Sequence, residues 1–178
     1  MNDQKLKAGD LVLMDVGATY GNYNADMTRT IPVNGRFSPR QKLIYNAVLR
    51  VKNEATHLLH PGCLISEYHL KVGALMTEEL LTLGLLTSNE VKSQDSKWPA
   101  YKKYFMHGTS HHLGLDVHDV GIANKKVAAG MVFTVEPGIY LPEEGFGVRL
   151  EDDILIAKNG NINLMEDIPI EIDEIENL

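Results

Sequence analysis

The chain has 178 residues, 44% of them hydrophobic and 23% charged, with a formal net charge of −7. That size and balance suit one globular domain with a real core, and the acidic excess argues against a general nucleic-acid binder. No apolar run approaches the roughly 20 residues of a bilayer-spanning helix, so no membrane partner is expected; one cysteine, Cys63, allows no internal disulfide and fits a reducing compartment.

The opening MNDQKLKAGD is polar and has no signal-peptide apolar region, so the cytoplasm is the expected location. DLVLMDV (10–16) follows a turn and reads as a strand. GATYGNYNA (17–25) is rich in Gly, Asn and Tyr and reads as a hairpin connection to a second strand, DMTRTIPV (26–33). The period then changes. Ser38 is placed as a helix N-cap, Pro39 at the first helical position and Gly62 beyond the end, with Leu43, Ala47, Val51 and Leu58 on one apolar stripe. A second helix is predicted from about Ser66 to Leu83, its stripe including Leu70, Ala74 and Leu81. Residues 87–104 are polar and loop-like, with one short helix after Ser88. Three strand-like stretches follow: HHLGLDVHD (111–119), GMVFTVEPGIYL (130–141) and GVRLEDDILIA (147–157). The acidic tail after Met165 is expected to end in a short helix. This order predicts an α+β fold, with helices on one face of an antiparallel sheet.

Four of the seven histidines, His107, His111, His112 and His118, fall within residues 106–120. Asp15 and Asp26 stand at the end of one strand and the start of the next, Glu136 lies mid-strand, and Arg149, Glu151 and Asp153 share a strand face opposite Val148, Leu150, Asp152, Ile154 and Ile156. Taken singly, each has an ordinary role: strand-end carboxylates, a solvated Arg149–Glu151 ion pair, a His-rich polar loop. If Asp15, Asp26, Glu136 and Glu151 converge, however, each close pair repels by about 4 kcal/mol at an effective dielectric of 20. Such a set stays ionised only around cations. Four carboxylates and one imidazole exceed the needs of one ion and suit two, with Mn2+ favoured by the oxygen excess and Co2+, Fe2+ or Zn2+ compatible.

MDVGATYGNYNADMTRTIPVNGRFS, MHGTSHHLGLDVHDVG, GMVFTVEPGIYL and GVRLEDDILI, in that order, resemble the M24-type metallopeptidases of the pita-bread fold, and most closely the Xaa-Pro aminopeptidases. The resemblance runs from about residue 9 to 170. It implies metal ligands at Asp15, Asp26, His111, Glu136 and Glu151, with Asp26 and Glu151 bridging two ions. It implies that His107 and His118 contact substrate and stabilise the transition state, that Arg149 orients an acidic ligand, and that Glu136 doubles as proton acceptor for a metal-bridging hydroxide. The implied reaction is hydrolysis of the N-terminal bond of peptides with proline at the second position. Prolidase, acting on Xaa-Pro dipeptides, shares the ligand set, and an inactive peptide-binding pita-bread module is the alternative from another class. The family carries a further active-site histidine upstream of the aspartate pair, where this chain has none. The resemblance therefore implies that residues 1–178 are the C-terminal part of the catalytic domain, without the N-terminal domain or the first part of the pita-bread domain. Exposed sheet edges then predict a homo-oligomer.

Overall fold

The computed structural model describes residues 5–121 and 124–178. The first hairpin joins β1 (Leu11–Val16) to β4 (Met27–Pro32), antiparallel, in a register that sets Asp15 opposite Thr28. Its connection holds a smaller hairpin, β2 (Thr19–Tyr20) and β3 (Tyr23–Asn24). Gly21 and Asn22 turn it with φ of +57° and +64°, the left-handed pair that matches the twist of a two-residue hairpin.

Helix α1 (Pro39–Leu58) begins where expected: Ser38 and Gln41 form a reciprocal capping box, with Pro39 at the first position. Helix α2 (Ile65–Thr82) follows, then α3 (Ser88–Lys92), capped by Thr87 and Glu90, and a 3-10 turn at Ala100–Lys103. The predicted helix stripes hold in part: Ala47 and Val51 of α1 are buried, and Leu58 and Leu81 pack against the core. In α1, Leu43 is exposed while Ile44, Tyr45, Val48, Val51 and Ala55 are buried. In α2, Leu70 and Ala74 are exposed, and Tyr68, Val72, Met76 and Leu80 form the buried ridge. Both helices are apolar over more than one stripe, so packing selects the face; Tyr45, for instance, packs its ring on Phe37 and donates its hydroxyl to the Ile170 carbonyl.

The later strands are shorter than their apolar runs. Residues 130–141 split into β5 (Val132–Val135) and β6 (Gly138–Leu141); residues 147–157 split into β7 (Phe146–Arg149) and β8 (Asp152–Leu155). β5 pairs with β8, and β6 with β7, all antiparallel; β9 (Ile162–Asn163) adds to β8. Both breaks fall at the same level. Pro137 has no N–H to give a ladder, its carbonyl accepts from Leu150 N–H, and Glu151 N–H turns away to the Thr28 carbonyl. Glu136 and Glu151, expected within continuous strands, therefore stand in a kink. The stretch 111–119 is not a strand. Its first residues run beside β5, through the bond from Thr134 N–H to His111 O and a single bridge between His112 and Phe133. The chain then turns at Gly114, where the Asp119 carboxylate accepts from Leu115 N–H. The acidic tail ends in α4 (Ile172–Ile175).

The core lies between the helices and one face of the sheet: Ile44, Val48, Tyr68 and Met76 meet Phe133, Ile139, Leu150 and Ile154. Among the described residues no helix is long and apolar enough to cross a membrane.

Candidate metal centre

The other face of the sheet gathers the acidic residues. Asp15 pairs with Thr28, and Thr28 forms an isolated bridge with Glu151. The register of β5 on β8 (Val135 opposite Asp152) continues into that of β6 on β7 (Gly138 opposite Arg149), which sets Glu136 across from Glu151. One row thus crosses the sheet as Asp15, Thr28, Glu151, Glu136. Asp26 precedes Thr28 by two residues, so the pleat turns it to the same face.

Asp26, His111 and Glu151 each place a ligand atom within 4.8 Å of the others. His111 Nδ1 lies 3.0 Å from the His112 carbonyl, which can only accept, so Nδ1 carries the proton. Nε2 then presents its lone pair, 3.5 Å from Asp26 Oδ2 and 3.6 Å from Glu136 Oε1. That second-nitrogen bond is the usual way of fixing a ligating imidazole. The His118 ring packs on His111, centroids 4.2 Å apart. Asp15 lies at the exposed rim, with Oδ2 2.5 Å from Arg149 Nη2. Arg149 is therefore paired with Asp15, and Glu151 is 2% exposed, so the two do not form a solvated ion pair.

His107 donates Nδ1–H to the Gly108 carbonyl and accepts at Nε2 from the Tyr140 hydroxyl at 2.7 Å. Arg149 Nη1 in turn donates to the Tyr140 oxygen at 3.2 Å. The His112 ring packs on Phe133 and faces away from the acids; the residue reaches the cluster only through its carbonyl.

Burial drives the electrostatics. It raises the Glu136 carboxyl to about 7, although Arg149 opposes it, and the Glu151 carboxyl to about 8, although the Thr28 hydroxyl bond opposes it. Asp26 is raised by burial and then by the neighbouring Asp15. Desolvated acids with this little counter-charge fit a centre completed by divalent cations: the donor set is one imidazole nitrogen and several carboxylate oxygens, and each acid needs positive charge to ionise.

Three residues of the site were not picked out from the sequence. Thr28 donates to Glu151 Oε2 at 2.6 Å and accepts from Arg149 Nε at 3.1 Å. Its two-residue spacing from Asp26 was the available signal. Tyr140 links Arg149 to His107 through a contact that no local pattern announces. Asp153 is buried beside Asp26, accepting the Asp26 N–H at 3.1 Å, while its Oδ1 has no hydrogen-bond partner; burial raises its carboxyl to about 7. Its alternation with Arg149 and Glu151 placed it on the correct face, without a role.

The profile of metallopeptidase family M24 matches residues 1–158. The chain is 43% identical over 189 residues to the Xaa-Pro aminopeptidase of Haemophilus influenzae, covering 99% of this chain and 44% of that protein. It is 42% identical over 191 residues to the Escherichia coli Xaa-Pro aminopeptidase, covering 99% and 42%. Zinc-substituted E. coli aminopeptidase P in complex with product superposes with a TM-score of 0.90 at 40% identity, covering 99% of this chain and 42% of that one. The chain therefore spans less than half the length of these relatives. With one family profile over most of its length and the same architecture in a solved relative, the chain belongs to metallopeptidase family M24 and has its α+β pita-bread fold.

Proposed function

We propose that this chain supplies the metal centre of an Xaa-Pro aminopeptidase, which hydrolyses the N-terminal bond of peptides with proline at the second position. The observation that carries the reading is the convergence of Asp26, His111 and Glu151 within 4.8 Å, with Glu136 against His111 and Asp15 at the rim. In this reading Asp15, Asp26, His111, Glu136 and Glu151 would together hold two divalent ions. Mn2+ is favoured by four carboxylates to one imidazole. When bound, the ions supply Lewis-acid polarisation of the scissile carbonyl and acidify a water.

The protein groups do the rest. Glu136, whose Oε1 lies 3.6 Å from His111 Nε2, takes the proton of the attacking water on a carboxylate oxygen. His107 is kept neutral by burial, its ring fixed by Gly108 and Tyr140, and presents that ring to the substrate. His118 faces the developing charge beside His111. Arg149 holds the Asp15 carboxylate in place at one end of the row. β1 pairs with β4 alone among the described residues and leaves Met14 and Val16 exposed, which supports self-association through that edge.

The reading is tested by Mn(II) calorimetry followed by hydrolysis assays on an Xaa-Pro tripeptide, an Xaa-Pro dipeptide and an Xaa-Ala tripeptide. About two ions per chain and preferential cleavage of the Xaa-Pro tripeptide are expected. Equal cleavage of the Xaa-Ala peptide, or no cleavage with metal bound, sinks it.

A further inference from the structure

On the helix-facing side of the sheet, directly beneath the Thr28–Glu151 bridge, lie three charged side chains with no part in the centre described above. They are Arg29 on β4, Asp152 on β8 and Lys52 on α1, exposed by 3%, 0% and 4%. Burying three charges costs several kcal/mol per ion unless their bonds offset it. Asp152 Oδ2 pairs with Lys52 Nζ and accepts from Asn163 Nδ2; Oδ1 accepts from Arg29 Nη2 at 2.7 Å. Lys52 alone would balance the Asp152 charge. As a counter-ion, Arg29 is redundant.

Its remaining bonds show what it does. Arg29 Nη1 donates to the Thr28 carbonyl at 3.0 Å and the Glu151 carbonyl at 2.7 Å, the two residues of the bridge. Nε reaches the Pro169 carbonyl at 2.9 Å, and Nη2 the Ile168 carbonyl at 3.4 Å. All five guanidinium N–H groups thus have acceptors. Glu151 stands in the break between β7 and β8, where no continuous ladder holds its backbone. The guanidinium fork supplies that hold from behind.

We propose that Arg29 is a positioning residue. It clamps the carbonyls of Thr28 and Glu151 from the helix side, and so aims the Thr28 hydroxyl and the Glu151 carboxylate into the metal face. The proposal rests on the reading of Glu151 as a metal ligand. A lysine carries the charge but lacks the planar fork that reaches both carbonyls and Asp152 at once.

The test compares Arg29→Met, Arg29→Lys and Lys52→Met in the 178-residue chain. The first readout is amide hydrogen exchange by NMR with chelator present. The Glu151 N–H, bonded to the Thr28 carbonyl, is compared with the Ile156 N–H, bonded to the Met131 carbonyl. The second readout is Mn(II) affinity by calorimetry. Both Arg29 variants are expected to lose protection at Glu151 selectively, and to bind Mn(II) about ten- to a hundredfold more weakly. Lys52→Met is expected to lower the unfolding midpoint while leaving both readouts unchanged. Equal loss of protection at Glu151 and Ile156, restoration by Arg29→Lys, or the same behaviour in Lys52→Met overturns the proposal. If Arg29→Met does not fold, the charge-conserving Arg29→Lys decides. If the unmodified chain binds no Mn(II), the metallopeptidase reading fails, while the exchange comparison still decides the clamp.

Discussion

Thr28 and Glu151 are joined twice: the Glu151 N–H donates to the Thr28 carbonyl at 3.0 Å, and the Thr28 hydroxyl donates to Glu151 Oε2 at 2.6 Å. A fully buried threonine thus binds both the backbone and the carboxyl of a residue that stands between strands. Thr28→Val keeps the shape, removes the donor to Glu151 and strips Arg149 Nε of its acceptor. A loss of about 1–3 kcal/mol is expected, read as the urea-unfolding free energy of the metal-free chain.

Glu136, Asp153 and Glu151 have carboxyls raised by burial to about 7, 7 and 8. An acid that holds its proton more tightly folded than unfolded favours the native state below its unfolded value and withdraws that support as pH rises through its folded value. The chelated chain is therefore expected to lose on the order of 1–3 kcal/mol of stability between about pH 6 and pH 8.5. Urea midpoints across that range check it; a flat or rising profile would contradict the burial of these acids.

Divalent metal should reverse that slope, because binding needs the acids ionised and binds only the folded site. At a free Mn(II) concentration near a hundred times its Kd, about 2.7 kcal/mol of added stability is expected per site. The gain should be larger at pH 8 than at pH 6, vanish with chelator, and be absent in Asp26→Ala. Differential scanning calorimetry reads all four.

Asp15 should separate metal binding from folding. Its side chain is 53% exposed, and its partner is Arg149 at the rim. Asp15→Asn is expected to cost less than about 1 kcal/mol of stability, as for other exposed pairs. Calorimetry should nevertheless show fewer Mn(II) ions bound per chain than in the unaltered protein.

The local signals were strong wherever one short stretch carried the whole device. Ser38 and Pro39 start α1 where the sequence places them, and the hairpin between Asp15 and Asp26 follows from DLVLMDV, its Gly-, Asn- and Tyr-rich connection and DMTRTIPV. Alternation along 149–153 correctly separated Arg149, Glu151 and Asp153 from Asp152. The sequence also offered four acids and an imidazole as candidate ligands, the acids because such a set suits a divalent cation and His111 because four separated motifs resemble one family; of these, the structure gathers Asp26, His111 and Glu151 within 4.8 Å. What it could not contain was the kink. Periodicity shows apolar runs as continuous strands, and it takes Pro137, the partner run and the Thr28 carbonyl together to break both at Glu136 and Glu151. The same holds for the helix faces: Leu43 and Leu70 fit a stripe as well as their buried neighbours do, and only packing against the sheet chose between them. Residue types and their order carry the chemistry. The pairing register carries the convergence, since backbone bonds between residues more than a hundred positions apart set Thr28 against Glu151, and no local window holds both.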